Sequence, residues 1–307
     1  MQQTDKCYYD FGDFLKKHFP YKVQKISINA GFTCPNRDGT KGTGGCTYCN
    51  NQTFNPEYCK TFKSVTEQLE EGKHFFARKY PQMKYLAYFQ AYTNTYGDVE
   101  KVISLYEEAL RCEDVVGLII GTRPDCMPEE LLEYLSDLSR KVFVLVEYGV
   151  ETSNNETLKI INRGHTWEET ADAVKRTHDA GVLCGAHVIL GLPGEKCEDF
   201  IATARALSAT EISTVKIHQL QLIKGTKMAK QVLSGELEII NWDVNGYIEM
   251  CGEMIKNISP KIAIERFVSQ SPASLLISPR WGLKNYEFTN LLNNYIRREN
   301  IKQGANL

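Results

Sequence analysis

Cys34, Cys46 and Cys49 lie in the stretch CPNRDGTKGTGGCTYC, at a C-x11-C-x2-C spacing among Gly, Thr, Asn and Asp. Thiolates are soft ligands that select zinc, copper(I) or iron–sulfur clusters. Three thiolates on a four-iron cluster leave one iron without a protein ligand, open to a small molecule as the free position of a catalytic zinc is. Alternatively Cys59, in the nearby NPEYC, completes a four-cysteine structural zinc site. The third alternative is that these thiols bind nothing. A zinc knuckle staples a domain too small for a core, which a chain of 307 residues does not need. Tyr48, between the last two cysteines, is placed to shield a cluster or to stack on a nucleoside.

Alternating elements must position this loop. KVQKISINA, MKYLAYFQA, DVVGLIIGT, KVFVLVEYGV, VLCGAHVILGL and TVKIHQLQLI are short apolar runs of the kind buried parallel strands show. Amphipathic segments lie between them. Ser64 with Glu67 and Thr166 with Glu169 form capping boxes, the first helix running to Pro81. Val99, Val102, Ile103, Tyr106 and Leu110 share one helix face, Pro128 stands in a first turn, and Gly181 stops the helix after Thr166. This rhythm of roughly six βα units predicts an α/β fold, either doubly wound or a partial (β/α)6 TIM-like barrel, with chemistry at the carboxyl ends of the strands. The cysteine loop follows the first strand and so lies at that edge. Beyond Gly225 the rhythm changes to a helix near WDVNGYIEMCGEMIKNI, a strand near KIAIERFV, the segment SPASLLISPRW and a helix near EFTNLLNNYIRREN. We therefore divide the chain into an N-terminal segment (1–22), a core (23–225) and a C-terminal extension (226–307) that closes one side of the sheet.

Composition bounds the rest. Hydrophobic residues make up 42% and charged residues 24%, as in a globular chain, and the net charge of −2 selects no class of partner. No apolar run has the length of a membrane span and the polar N-terminus lacks a signal region, so a cytoplasmic protein with no membrane partner is expected. In a reducing compartment the ten cysteines are not a disulfide framework, and most, like Cys184, are expected to be buried thiols. There is no G-x-G-x-x-G, Walker loop or H-E-x-x-H.

The strand leading into CPNRDGTKGTGGCTYC, with an aromatic before the third cysteine, resembles the radical S-adenosylmethionine (SAM) superfamily, although C-x3-C-x2-C is the usual spacing there. The longer spacing is similar to that of the bacterial YtqA/YhcC-like subgroup, relatives of the radical SAM part of the Elongator catalytic subunit. YFQAYTNTYGD, GTRPDCMP, VEYGVETSNNETLKIINRGHT, HVILGLPGE and HQLQLIKGT carry the resemblance, over about Lys22 to Thr226.

The resemblance implies a [4Fe–4S] cluster on Cys34, Cys46 and Cys49, with Cys59 a bystander. It implies SAM on the fourth iron, cleaved to a 5′-deoxyadenosyl radical that takes a hydrogen atom from substrate. Gln90 stands where the superfamily carries Gly-Gly-Glu beside the SAM amino group. Glu147 suits that amino group or the ribose hydroxyls, or else a salt bridge to a neighbouring arginine. Arg163 suits the methionine carboxylate, or else caps a helix end. Gly191 and Gly194 resemble the segment beside adenine, or form a plain strand-to-helix turn. Tyr92, Asn94, Tyr96, Arg123 and Asp125 fall at strand ends, where the tyrosines suit base stacking and Asp125 a cationic amine, against a reading as loop packing. His187 and His218 read as core residues with satisfied hydrogen bonds. Lys16, Lys17, His18, Lys22 and Lys25 read as a solvated basic face, or a phosphate contact.

Kinship with Elongator points to a tRNA substrate, and some of the subgroup act on wobble-uridine C5 side chains at the carboxymethylaminomethyl to aminomethyl step. Such chemistry implies a reductant such as flavodoxin or ferredoxin. The competing reading is a zinc-stapled RNA-binding protein without catalysis, colourless and dependent on Cys59.

Overall fold

The computed structural model describes residues 7–50, 53, 56–77 and 82–307. The six short apolar runs and KIAIERFV each supply a parallel strand: β1 (Val23–Ile28), β2 (Lys84–Phe89), β3 (Val115–Thr122), β4 (Phe143–Glu151), β5 (Leu183–Leu190), β6 (Thr214–Gln219) and β8 (Ala263–Arg266). They lie side by side in chain order. The seventh comes from the C-terminal extension, one strand more than the six βα units counted. The run TVKIHQLQLI is not one strand. After Gln219 it leaves the sheet, and β7 (Leu222–Ile223) pairs antiparallel with β9 (Leu276–Ser278). The Gln221 side chain is tied there, donating to Ser269 O at 2.9 Å and accepting from Ser271 Oγ at 2.6 Å.

Parallel strands in chain order need crossovers, and helices supply them. These are α2 (Val65–Ala77), α3 (Val99–Arg111), α4 (Glu129–Ser139), α5 (Asn155–Ile160) with α6 (Trp167–Asp179), and α7 (Cys197–Ser208). Both capping boxes form: Ser64 N donates to Glu67 at 2.7 Å, and Thr166 N to Glu169 at 2.7 Å. Pro128 is the residue before α4 rather than inside it. Gly181, at φ +75°, ends the turn after α6 in a conformation that costs glycine little. The expected stop at Pro81 lies outside the described residues. The outward strand residues Ile26, Ile28, Ile120, Val146, Val188 and Ile217 bury against Leu69, Tyr106, Leu131, Val174 and Phe200 of the helices. Cys184 belongs to the same core. The extension adds α8 (Lys227–Leu233), α9 (Val244–Lys256) and α10 (Asn285–Arg298).

The other face of the sheet curls on itself. Its lower layer is apolar: Leu86, Ile119, Leu145 and Ala263 pack with Phe11 and Phe14 of α1 (Phe11–His18) and with Phe19. Helix α1 has only eight residues and divides the N-terminal segment, for which the sequence predicts no element. Asp10 caps it, and Ile264 N donates to Tyr9 O at 2.8 Å, so the segment is stitched to the last strand. The three phenylalanines floor the half-barrel, each contributing roughly 1.5–3 kcal/mol of burial.

Candidate functional site

Strand alternation sets an ionic layer above that apolar floor. Lys25, Tyr88, Glu147, His187, Lys216 and Glu265 come from β1, β2, β4, β5, β6 and β8. Glu147 Oε1 accepts from Lys25 Nζ at 3.0 Å, and its Oε2 lies 2.5 Å from Lys216 Nζ and 3.0 Å from His187 Nε2. Glu265 accepts from Lys25 at 2.5 Å and lies 3.4 Å from Lys216. Lys216 also donates to Tyr88 Oη at 2.9 Å. Burial drives the Glu147 carboxyl upward, but Lys216 and Lys25 outweigh it and hold the group well below the carboxylate range. Burial lowers the His187 pKa, with Lys216 beside it. Lys25 therefore does not sit on a solvated face with Lys16, Lys17 and Lys22; alternation on β1 turns it into the interior. Glu147 makes its salt bridges to two lysines, not to an arginine.

Above the ions lies a cavity of about 170 Å³ at the carboxyl ends of the strands. Cys34, Cys46 and Cys49 line it together, with Tyr48 and Arg37 from the same loop. The loop is pinned on both sides. Thr47 N donates to Ile161 O at 3.0 Å, and Met228 N donates to Thr47 O at 2.8 Å. Asn36 donates to Asn162 O, and Asn162 returns a bond to Gly45 O at 2.9 Å. Cys49 N closes on Cys46 O at 3.0 Å, drawing the C-x2-C pair into one turn. Cys46 Sγ lies 3.6 Å from Arg163 Nη1 and 3.8 Å from Asn36 Nδ2, and Arg37 donates to Cys49 O at 3.2 Å. Burial pushes the Cys49 thiol up to about 11, with the neighbouring Cys46 adding to it and Arg37 opposing. Cys59 does not line the cavity; its thiol donates to Ser27 O at 2.9 Å. Among the described residues no three His, Cys, Asp or Glu side chains stand close enough to hold a single metal ion.

A second tier orients this loop. Arg163 reaches Gly149 O at 2.5 Å and Glu151 Oε1 at 3.3 Å, while its buried Nε has no partner among the described residues. Glu151 ends β4 at φ +68°, and the β4–β5 register shifts between Gly149 and Glu151, which turns this carboxylate toward Arg163. Sequence reading passed over Glu151, whose signal is an acid two residues past the strand's glycine. Arg123 grips Asp125 through two bonds of 2.9 Å and donates to Arg163 O at 2.7 Å. Burial raises the Asp125 carboxyl, but Arg123 and Lys41, the latter 2.6 Å away, bring it down to about 2.

Of the other sequence candidates, Gln90, Tyr92, Arg123, Glu147 and Arg163 line the cavity. Tyr92 stands at φ +63° with Arg37 5.7 Å from its ring centre, a backbone conformation unusual for a bulky residue. Asn94, Tyr96 and Asp125 do not line it. Asn94 is fully buried, donating to Gly121 O at 2.7 Å, and Tyr96 Oη meets Thr40 Oγ1 at 2.8 Å. Gly191 and Gly194, at φ +96° and +83°, shape the turn after β5, where a Cβ on Gly191 would meet Trp242 at 2.8 Å. His187 and His218 do have partners, Glu147 and Gln219 O, but both also face the cavity. So does Arg266, which sequence reading did not single out.

The donor set fits a thiolate-ligated, negatively charged group: three sulfurs share one cavity, two guanidinium groups flank them, and Arg163, whose Nη1 meets Cys46, keeps a buried Nε–H with no partner among the described residues. Comparison with known proteins bears on the same residues. The model of the Radical SAM superfamily matches residues 33–207, and that of the Radical_SAM C-terminal domain matches 212–298. YtqA of Bacillus subtilis (strain 168) is 34% identical over 98% of this chain and 93% of its own, and YhcC of Escherichia coli (strain K12) is 34% identical over 99% and 96%. A tRNA uridine(34) acetyltransferase of Methanocaldococcus jannaschii is 28% identical over 61% of this chain and 34% of its own. Among solved structures, Elp3 of Methanocaldococcus infernus superposes with a TM-score of 0.69 at 18% identity, over 92% of this chain and 64% of that one. With family models over both its halves, a parallel half-barrel and three cysteines at its mouth, the chain belongs to the radical SAM superfamily.

Proposed function

We propose that this protein is a radical SAM enzyme that modifies tRNA, acting on the C5 side chain of the wobble uridine at the carboxymethylaminomethyl to aminomethyl step. The observation that carries the enzymatic part is the convergence of Cys34, Cys46 and Cys49 on one cavity at the carboxyl end of the barrel, with Cys59 bonded elsewhere. In this reading the three thiolates would hold a [4Fe–4S] cluster, and Tyr48, Gln90, Glu147 and Arg163 would hold SAM. Bound there, the pair supplies a carbon-centred radical able to take a hydrogen atom from the substrate side chain.

The chain's own residues provide the rest. Arg163 and Arg37 offset thiolate charge at Cys46 and Cys49. Glu151 and the Gly149 carbonyl hold Arg163 in place, so its guanidinium costs no reorganisation. The Phe11, Phe14 and Phe19 floor and the saturated ionic layer above it exclude water from below. Tyr92, beside Arg37, suits stacking on a base. Support for a tRNA substrate comes from the relative named for uridine(34) chemistry, and a flavodoxin- or ferredoxin-type donor is the matching reductant.

The test has two arms. Anaerobically reconstituted protein should be brown, and its reduced electron paramagnetic resonance signal should change when SAM is added; an unchanged signal rejects an open iron site. Nucleosides from tRNA of a deletion strain should accumulate the carboxymethylaminomethyl form; unaltered nucleosides reject the tRNA assignment alone.

A further inference from the structure

Among the described residues, the charges of the inner wall stand in pairs except at two arginines. In the ionic layer Lys25 and Lys216 face Glu147 and Glu265. Higher up, Arg163 faces Glu151 and Arg123 faces Asp125. Arg37 stands over the cysteine turn. Arg266 remains. Its Nε is buried without a partner, and no hydrogen bond or ion pair holds its guanidinium among the described residues.

Its position is the product of a bulge. Thr214 pairs with Ala263 and Val215 with Ile264, but Lys216 pairs with Arg266, so Glu265 is the extra residue on β8. A bulge re-aims side chains. Strict alternation would send Glu265 and Arg266 to opposite faces. Here Glu265 reaches inward to Lys25 and Lys216, and Arg266 lines the cavity just above. His218 and Tyr88 lie near it. Burial takes the His218 pKa down to about 3, and the nearby Arg266 charge adds to that drop. A guanidinium left unpaired in a half-buried site is a standing cost unless an anion completes it.

We propose that Arg266 is the anion anchor of the cavity, gripping a carboxylate of the substrate through its guanidinium fork. Arg suits this task because its planar donors match a carboxylate in two parallel bonds. The inference rests on the functional reading above, since the carboxymethylaminomethyl side chain carries the one carboxylate that distinguishes it from its product. The methionyl carboxylate of SAM has the same chemistry, and the two sources are separated experimentally.

The probes are two anticodon stem–loop RNAs, identical except that one carries carboxymethylaminomethyluridine and the other aminomethyluridine. Binding of each to the reconstituted holoprotein is measured by titration calorimetry, with SAM binding measured in parallel. Wild type should prefer the carboxylate RNA by roughly ten- to hundredfold. Arg266→Gln should erase that preference while leaving the affinity for the aminomethyl RNA and for SAM unchanged; Arg266→Lys should keep a weaker preference. Because Arg266 has no internal partner to lose, Arg266→Gln should melt at or above the wild-type temperature. A preference that survives in Arg266→Gln overturns the subsite and leaves the functional reading standing. Lost SAM affinity with the RNA preference intact assigns the fork to the cofactor and also overturns it. A wild type blind to the carboxylate removes the substrate reading and the subsite together.

Discussion

Lys25 on the first strand and Glu265 on the last lie 2.5 Å apart, Nζ to Oε2, across 240 residues of sequence. The two strands sit at opposite ends of the sheet order, so this ion pair bridges the edges of the half-barrel. Each carboxylate of the layer touches both lysines, and the four charges sum to zero in a setting where an unpaired one would be costly.

Breaking that pair from one side should be worse than removing it whole. Lys25→Met is expected to cost about 3–5 kcal/mol, and Lys25→Met with Glu265→Leu distinctly less, in a double-mutant cycle of urea unfolding. Equal, additive losses would mean the two residues act independently.

Cys34→Ala, Cys46→Ala and Cys49→Ala should each lose the brown colour and the bound iron after reconstitution. Cys59→Ala should retain both, since its thiol bonds Ser27 O. Iron, sulfide and zinc analysis reads the result, and a colourless wild type whose bound zinc is lost in Cys59→Ala would revive the four-cysteine zinc alternative.

Gly149 has no room for a side chain: a Cβ there would come within 2.5 Å of Arg163 Nη2 and 2.8 Å of Glu151 Oε1. Gly149→Ala should therefore displace Arg163 from Cys46 at a cost of roughly 1–3 kcal/mol. The expected sign is a folded protein by circular dichroism that holds its iron less tightly against a chelator.

Glu195 sets a pH dependence. Burial raises its carboxyl to about 7, although the Thr152 hydroxyl donates to it. A carboxyl raised in the folded state stabilises fully below the unfolded pKa near 4.5, and that stability drains away as pH climbs through about 7. Glu195→Gln should flatten the fall in melting temperature between those limits; a parallel curve would assign the dependence elsewhere.

How much of this was legible follows from which forces are local. The strands and capped helices were, because burial and caps write themselves into runs of a few residues. The cysteine loop was, because its residue types stand close in sequence. The company of Glu147 was not: an acid within an apolar run is visible, but Lys25 and Lys216 lie 122 and 69 residues away and meet it only once the sheet curls. Arg266 was hidden because the bulge at Glu265 breaks the parity on which inward and outward assignments rest. Helix α1 was hidden because eight residues carry too little periodicity to stand out.

The aromatic stopper under the barrel has a kinetic corollary. With Phe11, Phe14 and Phe19 plugging the lower end, visitors reach the cavity from the doorway at the carboxyl ends of the strands. A macromolecule seated on that doorway imprisons whatever entered before it. Turnover should then obey a compulsory queue, the small tenant arriving first and its fragments departing last, and initial-rate patterns against an unreactive RNA would display that queue directly.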